Sequence, residues 1–349
     1  MAIIQHLVVD EYGAFIGKHS ERILVSKGNE TLVQAPLVHL EAVIIANHGV
    51  SISADAVREC AERGIPIFFL SGSGIPYAGL YSTGLTGTIA TRRAQLAAYH
   101  TRRGLDLVLA LGSGKLQNQA NLIRIMAKTR KAASPDLAEA LNRTALEIQD
   151  QILALQSLGG NHDRAEPLTV EALRQEILGI EGRAATLYWE AVRRVLPEKY
   201  AFPGRVGRGA QDAINAALNY GYGVLYGQVE RALLLAGLDP YGGFLHADRP
   251  GKPSLTLDFV EEFRPVVVDR TVLGMASKGI PFTQEKDSPL LTQNFRRMLV
   301  ERIYQRLEAT VAFAGKSYPL RAVIQMQARH MATFLRGERE TYQPFVMAW

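Results

Sequence analysis

Three short stretches of this 349-residue chain carry residues whose types and spacing could do chemistry. In Leu178-Gly-Ile-Glu-Gly-Arg-Ala-Ala-Thr-Leu-Tyr188, Glu181 lies within a helical pattern, flanked by Gly179 and Gly182. Glycine costs a helix interior roughly 1 kcal/mol relative to alanine, so two of them beside one carboxylate predict that something approaches the backbone there. Tyr188, seven residues on, shares a helix face with Glu181. In Gly242-Gly-Phe-Leu-His-Ala-Asp-Arg-Pro-Gly251, His246 sits between glycines and a proline, in a loop or at a helix end. A lone histidine is more often structural than a ligand. In Asp258-Phe-Val-Glu-Glu-Phe-Arg264, the acids Asp258, Glu261 and Glu262 fall at i, i+3 and i+4, which clusters three carboxylates on one side of a helix. A solvated first turn favoured by the helix dipole would account for them. Leu255, Leu257, Phe259, Val260 and Phe263, however, make the surroundings apolar, where carboxylates need a cation and Arg264 is only one.

Two carboxylates and an imidazole suit a divalent ion such as Mg²⁺ or Mn²⁺. Beside a basic surface, such an ion points to phosphodiester chemistry. Spacing alone does not join Glu181 to His246. Competing motifs fail. Gly112-Ser-Gly-Lys115 has Leu109 and Leu116 where a phosphate-binding loop needs glycine and Ser/Thr. Gly221-Tyr-Gly223 lacks the third glycine of a dinucleotide fingerprint, and Ser71-Gly-Ser-Gly74 reads as a turn between strands. The single Cys60 excludes a disulfide framework and a cysteine-based zinc site, and no serine or cysteine hydrolase pattern is present.

The elements that must position these residues divide at about residue 88. Before it, His6–Val9, Arg22–Ser26, Glu30–Gln34, Leu40–Ala46 and Ile65–Leu70 read as strands separated by glycine turns, with one helix capped by Ser53. After the Gly/Thr-rich Gly84–Thr88, the pattern is mostly 3.6-periodic. Helices are expected over Thr91–Leu111, Gly114–Lys131, Ser134–Leu158, Thr169–Leu196, Ala210–Ala236, Phe259–Ala276 and Leu290–Phe313. The expected fold is α+β: a small β domain with one helix over 1–88, then a larger all-α domain over 89–349. The aromatic tail with Tyr342, Phe345 and Trp349 is expected to dock. The net charge is +5, but it is segregated: nine basic residues face one acid between Arg92 and Lys131, and nine face three between Phe295 and Arg339. Segregated charge fits a nucleic-acid footprint and fits two solvated helix faces equally. Arg124, Lys128 and Lys131 fall at i, i+4 and i+7, on one helix face. No apolar run reaches the roughly 20 residues of a membrane span, and the N-terminus lacks a signal-peptide pattern. A cytoplasmic location is expected.

In order and spacing, these segments resemble the CRISPR-associated adaptation integrases, the first of the two universal adaptation proteins. The resemblance spans nearly the whole chain. It is carried by Glu41-Ala-Val-Ile-Ile, Ile52-Ser53, Gly64-Ile-Pro-Ile-Phe-Phe-Leu70, Lys115-Leu-Gln-Asn-Gln119, Ile180-Glu-Gly-Arg-Ala-Ala-Thr-Leu-Tyr188, Asn215 and Asn219-Tyr-Gly-Tyr222, Gly243-Phe-Leu-His246, and Leu257 to Pro265. It implies a catalytic helical domain with Glu181, His246 and Glu261 as metal ligands, although many members have Asp at the position of Glu261. Asp258 is the candidate support for those ligands, with the choice between Asp258 and Glu262 as a helper open; Tyr188 is a candidate for orienting DNA, or a packed helix tyrosine; and Arg249, with the basic face of Arg124, Lys128 and Lys131, is a candidate DNA contact. The resemblance further implies Mg²⁺ or Mn²⁺, a homodimer built on the N-terminal domain, and a small second adaptation protein as partner. The implied reaction is attack of a DNA 3′-hydroxyl on a repeat phosphodiester, or hydrolysis when water attacks. A non-catalytic DNA-binding scaffold and a general metal-dependent nuclease are the alternatives.

Overall fold

In a computed structural model, the protein is described over residues 4, 6–80, 89–160, 168–246 and 249–348. The 88/89 division, the Gly84–Thr88 stretch and Trp349 of the tail therefore lie at or outside the described residues. The N-terminal part builds two sheets. One has the order β1-β5-β7-β8, with β1 (His6–Val9), β5 (Ala42–Ile45) and β7 (Ile67–Leu70) parallel and β8 (Pro76–Leu80) antiparallel at the edge. The other has the order β4-β3-β2-β6: β2 (Phe15–His19), β3 (Arg22–Lys27) and β4 (Glu30–Pro36) form a meander, and β6 (Ser51–Ile52) runs parallel to β2. Helix α1 (Ala54–Glu62) starts where Ser53 Oγ accepts the Ala56 N–H, as the sequence predicts.

All four residues of β5 are buried, which is the pattern of a strand covered on both faces. One face joins a small core with Ile16, Ile23 and Cys60. The other, through Ala42, Ile44 and Phe68, joins the large core of the helical part. The two parts are thus fused through a shared sheet. The β7–β8 turn and α6 (Ala213–Leu235) approach closely: a Cβ on Gly223 would lie 1.5 Å from the Gly74 carbonyl oxygen. Gly223 is glycine for packing, and its sequence neighbourhood has nothing to do with dinucleotides.

The helical part contains α2 (Ile89–Ala98), α3 (Arg102–Arg130), α4 (Pro135–Gly160), α5 (Val170–Val195), α6, α7 (Ser254–Val260), α8 (Arg270–Ser277), α9 (Gln293–Glu308) and α10 (Leu320–Leu335). A hairpin of β9 (Thr310–Phe313) and β10 (Lys316–Pro319) interrupts it. The expected break at Gly112-Ser113 does not occur: α3 runs through it, and the break falls at Tyr99–Thr101. The glycines are tolerated because their faces are needed bare. A Cβ at Gly112 would lie 2.8 Å from Leu155 Cδ2, and one at Gly114 would lie 2.5 Å from Pro344 Cβ. Tertiary contact outweighs propensity there. The expected helix over Phe259–Ala276 is also broken, into α7, a turn, and a π-helical segment over Pro265–Asp269 that leads into α8.

Candidate active site

Four of the singled-out residues converge on one cleft. Glu181 from α5, Asp258 from α7, Glu261 just past the end of α7, and His246 from the loop after α6 line it, with Gly112 of α3 as part of its wall. The cleft has room for about 10 Å³, roughly one water-sized particle. Spacing could not join Glu181 to His246; packing of α3 and α5 against the α7 region does.

Each donor is held from behind. Asp258, 3% exposed, accepts the backbone N–H groups of Phe244 (2.6 Å), Leu245 (3.1 Å) and His246 (3.1 Å). Its Oδ1 also lies 2.6 Å from His246 Nδ1. A carboxylate at that distance accepts a hydrogen bond from the ring Nδ1–H, which fixes the tautomer and leaves the lone pair on Nε2. Arg174, seven residues before Glu181, binds the Leu245 carbonyl and the Tyr99 hydroxyl, tying this loop to α5. Lys115 Nζ bridges Glu181 Oε2 (3.2 Å) and Glu261 Oε2 (3.1 Å). Arg264 binds the other oxygen of Glu261 and the Tyr226 hydroxyl, with its guanidinium over the Tyr222 and Tyr226 rings at 4.8 and 5.4 Å. Burial raises the carboxyl pKa of Glu261, but Arg264, Lys115 and His246 outweigh it and pull it down to about 2. Burial likewise opposes the Lys115 charge, yet Glu181 and Glu261 push its pKa above the ordinary lysine value. Glu261 is therefore held ionised, and the two carboxylates already hold one cation, Lys115, between them.

Glu262 does not join them. The helix ends at Val260, and Glu262 turns away to the C-terminal tail, accepting from the Tyr342 hydroxyl (2.7 Å), the Phe345 N–H (2.9 Å) and Gln327 (3.3 Å). Burial pushes its carboxyl up to about 7, against those hydrogen bonds. The expected cluster of three carboxylates on one side is thereby corrected to two and one. The docked tail is as expected, and Asn118 holds it through the Phe345 carbonyl and the Met347 N–H.

Tyr188 is fully buried and donates to Asp269 (2.8 Å), which also accepts from Tyr222 (2.5 Å). This places its hydroxyl in the core, away from the surface that DNA would touch. Gly179 and Gly182 are exposed, and a Cβ there would meet only the Arg183 guanidinium or nothing. The backbone approach they predicted is not made by this chain. Lys128 and Lys131 are exposed at the end of α3, whereas Arg124 is partly buried and donates to Asn121. Arg249 is exposed three residues after His246.

Arg264 was legible as the one cation among the acids, at i+3 from Glu261. Lys115, in a helix distant in sequence, stood only in a basic stretch and in the Lys115–Gln119 segment, with no sign that it would lie between two carboxylates. A larger cavity of about 770 Å³ lies on the far side of Arg264 and is lined by Arg205, Arg208, Asn219, Tyr222 and Tyr226. His6, Glu41 and Glu308 also bring ligand atoms within 4.8 Å of one another. There Arg321 already binds both carboxylates, and burial with Arg321 and Arg231 drives His6 down to about 3. Those three residues lie apart from the α5–α7 cleft, which is the one that gathers Glu181, His246, Asp258 and Glu261.

The architecture is that of a largely helical protein with an N-terminal strand-rich region and a cleft that gathers carboxylates and an imidazole. The family model described as "CRISPR associated protein Cas1" matches residues 7–305, and the chain belongs to that family. The "CRISPR-associated endonuclease Cas1 1" of Archaeoglobus fulgidus is 37% identical over 98% of this chain and 99% of its own length. Among solved structures, a chain described as "Casposase bound to integration product" superposes with a TM-score of 0.78 at 22% identity, covering 97% of this chain and 93% of its own. A chain of a "Cas6-RT-Cas1--Cas2 complex" superposes with a TM-score of 0.76 at 20% identity over all of this chain and 37% of its own.

Proposed function

We propose that the protein is a metal-dependent DNA endonuclease and integrase of CRISPR adaptation, with Glu181, His246 and Glu261 as ligands of Mg²⁺ or Mn²⁺. The observation that carries this reading is the convergence of those three donors, from separate elements, on one cleft in which Glu261 is held ionised. The donor set fits such an ion: two carboxylates, one imidazole with its tautomer fixed, and a glycine at 112 that leaves room beside Glu181 Oε1. When bound, the ion would polarise the phosphoryl group and stabilise the charge that develops on it. Asp258 keeps the His246 loop in place, and Arg264 keeps Glu261 ionised and oriented. In strand transfer, one P–O bond forms to the DNA 3′-hydroxyl and one breaks in the repeat strand. Water in place of the hydroxyl gives cleavage. No side chain needs to become covalently bonded, and Tyr188, buried on Asp269, is not placed to attack.

DNA is the substrate. Lys128 and Lys131 on α3 and Arg249 near His246 offer exposed charge for its phosphates, and the cavity beyond Arg264 offers arginines and aromatic faces for an unpaired strand. A homodimer and a small second adaptation protein complete the reading. Its support is the edge strand β8, whose Tyr77 is 63% exposed, and the fold likeness to a chain from an assembly that includes Cas2. Among the described residues no helix is long and apolar enough to cross a membrane, in keeping with a cytoplasmic site of action.

The test is a strand-transfer assay with the second adaptation protein, an oligonucleotide with free 3′ ends and Mn²⁺. Glu181→Ala, His246→Ala and Glu261→Ala should each lower transfer and cleavage at least 100-fold with folding retained, and a dideoxy end should abolish transfer. Near wild-type rates in two of the three variants would overturn the ligand assignment. Cleavage without transfer would leave a general nuclease, and DNA binding alone would leave a scaffold.

A further inference from the structure

The cleft carries a positive charge of its own. The Lys115 side chain is 14% exposed, and its ammonium lies on one oxygen of Glu181 and one of Glu261, the two carboxylates read above as metal ligands. Mg²⁺ and Mn²⁺ bind oxygen at about 2.1 Å, well inside the 3.1 and 3.2 Å that separate Nζ from these atoms. An ion bridging the same pair of oxygens would therefore come into close contact with the ammonium. Two cations cannot share that position, and without either one the two buried carboxylates would repel each other.

The two basic residues of the site differ in what they can do about this. Arg264 is pinned by the Tyr226 hydroxyl and by two tyrosine rings, so it stays with Glu261. Lys115 is a point charge on a flexible four-carbon stem, and among the described residues its ammonium is held by the two carboxylates. We propose that Lys115 is a resident cation that the metal displaces: it holds Glu181 and Glu261 together before the ion arrives, and on metal binding its ammonium passes to a phosphate oxygen of the DNA. This rests on the metal-site reading above. It makes the metal-free protein stable with its ligands already in place. It also couples metal entry to the appearance of one extra phosphate-binding charge beside the reacting bond.

The test is calorimetric titration of Mn²⁺ into the full chain without DNA, for wild type, Lys115→Met, Lys115→Arg and Glu181→Ala. Glu181→Ala should weaken binding at least 100-fold. Lys115→Met should bind Mn²⁺ at least tenfold more tightly than wild type, because nothing has to be displaced. Its metal-free melting temperature should fall and be recovered at saturating Mn²⁺. Lys115→Arg keeps a cation on the carboxylates and should not gain affinity. With Mn²⁺ present, Lys115→Met should also reduce the slope of log DNA affinity against log salt by about one phosphate contact. If Glu181→Ala titrates like wild type, the metal-site reading itself falls. If Glu181→Ala loses binding while Lys115→Met binds no tighter than wild type, the displacement proposal alone is overturned. Lys115→Gln, which retains a polar head without the charge, replaces Lys115→Met if the latter does not fold, and is held to the same tenfold gain.

Discussion

Asp258 shows how much of a site can depend on a residue that holds others. One carboxylate gathers three consecutive backbone N–H groups and the imidazole of His246. Asp258→Asn would set an amide N–H₂ against some of those donors. We expect Mn²⁺ affinity to fall about 10- to 100-fold, measured by calorimetry, with a smaller loss of stability; unchanged affinity would mean that the loop is held by other contacts. Asp269 works differently. Burial raises its carboxyl pKa from 3.8 to about 6, with the Tyr222 and Tyr188 hydroxyls pulling the other way. A raised folded-state value favours the protonated form in the folded protein. Its stabilising contribution is complete below about pH 4 and is lost as pH rises through 6, a change of about 3 kcal/mol. Asp269→Asn removes this dependence. The melting temperature of the variant relative to wild type should therefore rise between pH 4 and pH 7, and a flat difference would contradict the assignment. Tyr188→Phe, which deletes one donor to Asp269, should cost stability and leave strand transfer measurable.

At the scale of elements, helix α3 is the spine of the site. Gly112 gives Glu181 its seat, Lys115 spans the cleft, and Asn118 holds the tail. Gly112→Ala would bring a methyl to 2.8 Å from the movable end of Leu155 and 3.2 Å from Glu181 Oε1. Leucine can yield, so we expect about 1 kcal/mol of destabilisation, whereas the carboxylate must shift. Activity should fall at least tenfold, and a variant that lost stability but kept full activity would remove Gly112 from the site. On the other side of α7, Glu262 receives Tyr342, Phe345 and Gln327. Glu262→Ala leaves buried partners unmatched, each worth about 1–3 kcal/mol though not additively. It should lower the melting temperature by several degrees while affecting chemistry less than Glu261→Ala does.

For the whole molecule, the question is how a small cleft meets a long substrate. Along α3, Lys128 and Lys131 stand about 20–24 Å from Lys115 at 1.5 Å per residue, which spans about six or seven base pairs. Charge at the middle and at the C-terminal end of one rigid helix can thus meet phosphates several base pairs apart. Neutralising Arg124, Lys128 and Lys131 together should weaken DNA binding and reduce the slope of log affinity against log salt. Because Arg124 is partly buried on Asn121, the expected reduction is about two phosphates rather than three. An unchanged slope would mean a solvated face that DNA does not touch.

Local patterns reached far in this chain. Periods of two and 3.6, Ser53 as a cap, and glycine turns decide element type over short windows, and most of the strands and helices they predict are present, although the helix expected over Leu290–Phe313 stops at Glu308 and gives way to β9 in a part expected to be all-α. The identities of Glu181, His246, Asp258 and Glu261 were also legible, because acids and an imidazole among apolar residues need a reason. What spacing could not supply was anything that depends on which faces meet. Glu262 looks equivalent to Glu261 in sequence, yet it serves the tail, because the helix ends at Val260 and buried N–H groups of the tail claim it. The Gly112-Ser-Gly114 segment reads as a break, yet it lies mid-helix, since α4 and the tail need its bare surface. Lys115 gives no local sign that it spans two carboxylates, one of them 66 residues away on α5. Propensity and periodicity act within a few residues, whereas burial and charge pairing are settled between elements. The residue types were therefore written in the sequence, and only the packing of α3 and α5 against the α7 region decided which of them share a cleft.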